Sequence, residues 1–263
     1  MRFEHAAVLA ERNFPISSRD ILTSLLSLSD QVKYYDRRWS NFNYANLYCL
    51  ERSAFILDAL RAGNMNYPRI CDLGCGAGWL TNILNSFGPT VGVELSPRAV
   101  EQARERYPGA EFVCADATKW DPGQGQFDVV VSQEVLEHII DKAAYLRIAR
   151  RSLKTGGTLI MTTPNLKVLD AIPELERKAV WETQPVELPV DRNRLTVLLA
   201  ESGFEVIRTS SAVWGAGRNG IHRLVNSTKL QKILNAVRLN AYWQKMFLKR
   251  DFGAYLLTVA KAR

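Results

Sequence analysis

Apolar and polar positions change their period near residue 68. Before it, Leu50, Ala54, Leu57 and Leu60 recur at spacings of three and four, the signature of one helix face. The spacing predicts mostly helix over residues 17–62, opened by a cap-like Ser17-Ser18-Arg19-Asp20 and ended by Gly63-Asn64. After residue 68, short, continuously apolar runs alternate with helical patterns. Runs at 69–73, 90–94, 111–114, 127–131, 157–162, 204–208 and 254–260 read as strands, and helices fall near 79–86, 97–106, 141–153 and 191–202. Strands that are apolar throughout and separated by helices predict a parallel sheet covered on both faces. The expected fold class is α/β, doubly wound.

One connection breaks the rhythm. The last two strand runs are about 45 residues apart, where a connection of roughly 4–6 residues is usual. The gap has helical periodicity, with Ile221, Leu224 and Val225 and then Leu230, Ile233, Leu234 and Val237. It also holds the charge. Residues 208–263 carry eleven Lys/Arg and one acid, Asp251, although the whole chain is only +7. The first 207 residues are therefore slightly negative, and the basic character belongs to the tail.

Length and composition narrow the rest. At 263 residues the chain suits one large domain or one domain plus a cap. A 47% hydrophobic and 23% charged composition excludes collagen-like, disordered and coiled-coil classes. No apolar run reaches the roughly 18 residues of a membrane span, and the N-terminal apolar stretch is too short for a signal peptide. Cys49, Cys71, Cys75 and Cys114 lack the paired spacing of a zinc site, so the expectation is a reduced, cytoplasmic protein.

The strongest chemical signal is Ile70-Cys71-Asp72-Leu73-Gly74-Cys75-Gly76-Ala77-Gly78. A strand runs into a glycine-rich turn that opens a helix, where backbone comes close to a ligand and N–H groups lie open. A dinucleotide fingerprint would place a third glycine where Trp79 stands. Asp72, two residues before the glycines, repels a pyrophosphate and attracts an ammonium. Glu94 ends the next strand, placed to accept from two ribose hydroxyls. Asp116, after the third strand, can take the exocyclic amine of an adenine.

Together these residues resemble the class I S-adenosylmethionine-dependent methyltransferases, and within them the ubiquinone-pathway-like small-molecule O-methyltransferase branch. DLGCGAGW, VGVELS, CADAT, FDVVVSQEVLEH and LKTGGTLIMTTPN stand in the family's order between about residues 68 and 163. The resemblance implies a seven-stranded, mostly parallel sheet whose last strand is antiparallel. It implies a helical cap at residues 1–66 over the cofactor mouth and a catalytic domain at 67–263, with a basic helical insertion at 210–252. Cofactor contacts would come from Asp72, Gly74, Cys75, Gly76, Glu94, Leu95, Asp116, Ala117 and Gln133. Family caps often offer an aromatic or cationic group to the methionyl end, a place open to Tyr34, Tyr35 or Arg52.

The place after the fourth strand speaks to the acceptor. It reads Ser132-Gln133-Glu134-Val135, not the Asn/Asp-Pro-Pro-aromatic run usual in enzymes that methylate nucleobase or glutamine amines. That favours oxygen or another small-molecule nucleophile, and a hydroxyl acceptor must lose a proton. His138 is the expected general base, with Glu134 as its orienter or second acid. If a helical turn begins there, Glu134, Glu137 and His138 share one face. Their E-x-x-E-H spacing is similar to the ubiquinone-pathway enzymes and to small-RNA 2′-O-methyltransferases, where it helps hold a divalent cation. The RNA enzymes add a downstream histidine where this chain has Trp181-Glu182-Thr183-Gln184-Pro185. A divalent metal stays an open alternative, with no ligand assigned.

The expected activity is O-methylation of a small hydroxylated acceptor: a sugar or glycan, a lipid-linked molecule or a quinone-type compound. An RNA methyltransferase using the basic insertion is the alternative. A nicotinamide-dependent oxidoreductase is disfavoured by Trp79. The segment 229–250 interleaves Lys/Arg with Leu, Ile, Tyr242, Trp243 and Phe247. It suits a solvated basic face or peripheral contact with a membrane, and nucleic acid less well.

Overall fold

A computed structural model describes residues 27–40, 47–177, 184–212, 223 and 227–263. The expected Ser17–Asp20 cap and residues 41–46, 178–183, 213–222 and 224–226 lie outside them. Seven strands form one sheet: β1 Ile70–Leu73, β2 Thr90–Glu94, β3 Glu111–Cys114, β4 Phe127–Gln133, β5 Leu153–Pro164, β6 Phe204–Ala212 and β7 Tyr255–Ala262. Their order is β3-β2-β1-β4-β5-β7-β6. Only β7 runs antiparallel to its neighbours, so the doubly wound, seven-stranded fold expected from the sequence is the fold observed.

The principal helices are α1 Leu28–Ser40, α2 Leu47–Ala62, α3 Trp79–Leu84, α4 Pro97–Arg106, α5 Lys142–Ser152, α6 Leu166–Leu169, α7 Arg192–Glu201, α8 Thr228–Ala236 and α9 Asn240–Leu248. Capping residues in the sequence fix several of their starts. Ser96 accepts the Ala99 N–H at 3.1 Å ahead of Pro97. Asp141 and Asp191 do the same for α5 and α7.

Both faces of the sheet are buried. Tyr145, Leu146 and Ala149 of α5 and Leu195, Leu198 and Leu199 of α7 pack with Leu73, Val130, Leu159 and Phe204 on one side. Ile56, Ala59 and Leu60 of α2 and Leu80 and Leu84 of α3 pack with Ile70, Val129, Val131 and Ile160 on the other. Apolar strands with no polar face thus find cover above and below. α2 is a layer of the main core as well as a neighbour of the site.

Four strands extend past their apolar runs, β7 by two residues to Ala262. β4 continues to Gln133, β5 starts at Leu153, and β6 continues to Ala212, where it pairs with Tyr255. Partners supply the extra length: Thr209, Ser210 and Ser211 are polar, yet each sits opposite a β7 residue. The β6–β7 connection therefore leaves the sheet at residue 212, two residues later than the expected insertion start. Its base is clasped. Arg192 grips Asp251 with two nitrogens. Asn165, after β5, donates to the carbonyls of Asp251 and Gly253, both at 3.0 Å.

Strand order reverses between β1 and β4, with their crossovers on opposite faces. The connections leaving the carboxyl ends of those two strands therefore part to opposite faces and leave a crevice.

Candidate active site

The crevice holds a cavity of about 580 Å³. The eleven residues expected to bind the cofactor or to catalyse line it: Asp72, Gly74, Cys75, Gly76, Glu94, Leu95, Asp116, Ala117, Gln133, Glu134 and His138.

The floor is the turn after β1. Gly74, Gly76 and Gly78 have φ of +89°, +55° and +81°, a region closed to most side chains. A Cβ on Gly74 would lie 2.3 Å from Val135 Cγ2, so the β4 turn also needs a glycine there. The turn is held to β2 by the Gly74 and Cys75 N–H groups, which donate to the Val93 carbonyl at 2.8 and 3.0 Å. Glu94 accepts from the Gly76 N–H and the Ser96 N–H, both at 3.0 Å. Burial raises its carboxyl, and these N–H donors offset part of that rise. Asp72 is buried and accepts the Thr81 hydroxyl at 2.7 Å. Burial pushes it up to about 7. Asp116 is half-open. Burial raises it, but Thr118, which donates its N–H at 2.9 Å and its hydroxyl at 2.7 Å, and Lys119 together hold it below the ordinary range.

The wall comes from the turn after β4. Gln133 faces the cavity but commits its amide to α2, donating to the Cys49 carbonyl and the Ser53 hydroxyl at 3.2 and 3.0 Å. Glu134 has φ +57°, a strained conformation for a side-chain-bearing residue. Its N–H donates to the Thr162 carbonyl at 3.1 Å, and its carboxylate accepts the Thr162 hydroxyl at 2.7 Å. Arg52 Nε stands 3.6 Å from the same carboxylate oxygen. The guanidinium lies 4.2 Å over the Tyr255 ring. Its Nε and Nη1 are buried without a hydrogen-bond acceptor.

The expected sharing of one helical face by Glu134, Glu137 and His138 is corrected here. The only helical turn is the short 3₁₀ piece Leu136–His138, and the left-handed Glu134 precedes it. Glu134 therefore turns to Thr162 and Arg52, while Glu137 stays beside His138. Glu137 is fully buried and accepts the Thr163 hydroxyl at 3.1 Å. Burial holds both acids well above the usual carboxylate range; Glu137 raises Glu134 further, and Arg52 lowers both. His138 Nδ1 lies 2.7 Å from the Val186 carbonyl and Nε2 lies 2.8 Å from Gln184 Nε2. The acid next to Nε2 is Glu137, at 3.5 Å, and not Glu134 as the sequence suggested. Burial pulls the imidazole down to about 4. Among the described residues, no three His, Cys, Asp or Glu side chains group as a metal site.

The roof is α1. Asp36 accepts from the Ser96 hydroxyl and the Arg98 N–H, pinning α1 across the start of α4. Tyr35, Arg38 and Trp39 then line the cavity, as do Cys49 and Arg52 of α2. Tyr34 does not; it meets the Tyr35 ring edge-on at 5.4 Å. The Trp39 ring stands over Gly76, so close that a Cβ there would come within 2.5 Å of it. Sequence reasoning missed Trp39, Arg38 and Gln184. The aromatic-basic run 34–39 was a signal for the first two, whereas nothing local marked Gln184.

Gly74, Gly76 and Gly78 leave the turn without Cβ atoms at three of its positions, two carboxylates flank it, and a buried guanidinium has donors to spare. This set fits a ligand with an ammonium, a carboxylate and a ribose diol. A sequence family described as a methyltransferase domain matches residues 41–209. The chain is 28% identical over 172 residues to a malonyl-[acyl-carrier protein] O-methyltransferase of a Paenibacillus species, covering 60% of this chain and 62% of that one. It is 35% identical over 102 residues to a ubiquinone biosynthesis O-methyltransferase of Cereibacter sphaeroides, covering 37% and 41%. These matches thus span about half the length of the curated relatives. Among solved structures, the N-methyltransferase NodS of Bradyrhizobium japonicum, in complex with S-adenosylhomocysteine, superposes with a TM-score of 0.59. That match covers 88% of this chain and 98% of NodS at 15% identity, and speaks for the fold alone.

Proposed function

We propose, since this chain belongs to the S-adenosylmethionine-dependent methyltransferase family, that it transfers the cofactor's methyl group to a hydroxyl oxygen of a small acceptor. Candidate acceptors are a sugar or glycan, a lipid-linked molecule or a quinone-type compound. The observation that carries the reading is the gathering of the eleven expected cofactor and catalytic residues around one cavity. The relatives that act on oxygen support the oxygen half of it, as does Ser132-Gln133-Glu134-Val135 where amine-modifying enzymes carry a proline pair. Within the proposed cap, 1–66, α1 lies over the mouth, while α2 also covers the sheet of the catalytic unit, 67–263. Four free thiols support a reducing, cytoplasmic setting.

When bound, S-adenosylmethionine supplies a methyl group on a positively charged sulfur. Asp72 takes the ammonium of its amino-acid end, Arg52 the carboxylate, Glu94 the ribose hydroxyls and Asp116 the adenine amine. What remains for the protein is alignment, a dry site and removal of one proton. His138 is arranged for the last of these. Its Nδ1–H donates to Val186, which fixes the tautomer and leaves the Nε2 lone pair as the acceptor. Burial keeps the ring neutral at physiological pH. Gln184 must yield its place on Nε2 to the acceptor hydroxyl, and an ionised Glu137 then steadies the imidazolium.

Incubation with S-adenosylmethionine carrying an isotopically labelled methyl group, against matched hydroxyl and amine acceptors, tests this. Label in an O-methyl ether supports the reading. Label on nitrogen overturns the oxygen assignment, and no binding of S-adenosylhomocysteine to the purified chain overturns the cofactor assignment.

A further inference from the structure

Helices α8 and α9 are largely exposed, although α9 touches the end of β6, where its Leu248 carbonyl accepts the Ser211 hydroxyl. α8 buries none of its residues, and α9 buries only Phe247, which packs against Trp243 and Phe252 with ring centroids 4.7 and 5.0 Å away. Ordinary amphipathic helices turn their large apolar side chains inward. Here Ile233, Val237, Leu239 and Tyr242 are 62%, 55%, 52% and 71% exposed. Lys229 and Ile233 stand one turn apart on one face of α8, and Val237 follows at the same spacing just past its end, so cationic and aliphatic groups share the outer surface.

The charge is one-signed. Residues 212–250 hold eight Lys/Arg and no acid. Among the described residues, Lys229, Lys232, Arg238 and Lys245 enter no ion pair. A solvated basic face alone would leave the aliphatic exposure unexplained. Nucleic acid would reward the cations and Tyr242 but gains little from Ile233, Val237 and Leu239. A surface offering negative headgroups above acyl chains complements both groups at once.

Topology orients this surface. β7 begins at Tyr255 opposite Pro164, the carboxyl end of β5. Tyr255 also carries the ring under Arg52, a cavity residue. The clasp at Asp251 and Asn165 ties the base of the helical pair to that same end of the sheet. The helices thus leave the molecule at the end where the cavity opens.

We propose that α8 and α9 form a docking surface for an anionic lipid membrane, with Ile233, Val237, Leu239 and Tyr242 entering the interface and Lys229, Lys232, Arg238 and Lys245 meeting the headgroups. The surface does not depend on which molecule accepts a methyl group.

The test is flotation of the intact chain with two vesicle types: phosphatidylcholine with phosphatidylglycerol at two to one, and phosphatidylcholine alone. The expected result is flotation with the first only. Lys229→Gln, Lys232→Gln and Arg238→Gln each weaken partitioning about fivefold. The pair Ile233→Asp and Val237→Asp reduces it by more than tenfold at unchanged salt. Because these residues are exposed, melting temperature and S-adenosylhomocysteine affinity stay at the unsubstituted values. Failure to float overturns the surface, and so does equal flotation with neutral vesicles. Retained flotation in the Asp pair overturns the insertion of the apolar face. Tight RNA binding without flotation reassigns the helices to nucleic acid. The affinity for S-adenosylhomocysteine reports separately on the family-based reading.

Discussion

The floor and the wall of the cavity are built on opposite plans. The floor is largely backbone: a glycine turn, its N–H groups and two carboxylates within a stretch of about two dozen residues. The wall is made of side chains brought from α2, the β4 turn, β5 and the segment 184–187. The floor's acids carry simple duties, whereas the wall packs Glu134, Glu137, His138 and Arg52 into one buried, mutually dependent group. A contiguous backbone cradle suits a ligand common to a whole family. An assembled side-chain wall suits the partner that differs from one member to the next.

The sharpest way to break this contrast is at the wall. His138→Ala is expected to lower methyl transfer roughly 10²–10⁴-fold while leaving S-adenosylhomocysteine affinity nearly unchanged. Calorimetric titration alongside turnover separates the two, and an unchanged rate removes His138 as the base. At the floor the pattern reverses. Glu94→Ala removes two charge-assisted hydrogen bonds to the ribose and is expected to weaken the same titration on the order of 100-fold. A binding constant within a few-fold of the unsubstituted protein would detach Glu94 from the ligand.

Asp72 gives the floor a pH signature. Its carboxyl, raised to about 7 by burial, must lose its proton to receive an ammonium. Affinity for S-adenosylhomocysteine should therefore rise by up to about tenfold per pH unit below 7 and level off above it. Asp72→Asn should flatten that rise. The sign for stability is opposite. A carboxyl raised on folding contributes stability that is full below the ordinary carboxylate range and is lost as pH climbs through about 7, so melting temperature should fall over that window. Thr81→Val makes the smallest change. Loss of its hydroxyl from Asp72 should move the affinity curve upward in pH and cost about three- to tenfold at neutrality. A curve left in place would mean the hydroxyl does not tune the acid.

Legibility in the sequence follows the same division. The strands and the helices between them were readable because each carries its own period, and α4 falls at 97–106 as its Ser96-Pro97 start implies. The whole floor was readable because turn, acids and strand ends lie close in sequence. The ends of β5 and β6 were not, since polar residues such as Thr209 and Ser210 become strand only through pairing with β7. Glu134's left-handed backbone was hidden as well. The residue looks like the first member of a helical turn, and tertiary bonds to Thr162 hold it elsewhere. Gln184 reaches His138 across 46 residues, a distance no local pattern encodes.

The pairing of Ala212 with Tyr255, closed by the Arg192–Asp251 and Asn165 clasp, makes the two ends of a long excursion meet at one point. To the sheet, everything threaded between them is equivalent to a short hairpin. Such a socket accepts a replacement module without notice in the core. Exchanging the helical pair for an unrelated segment should therefore leave folding intact and alter only the company the protein keeps.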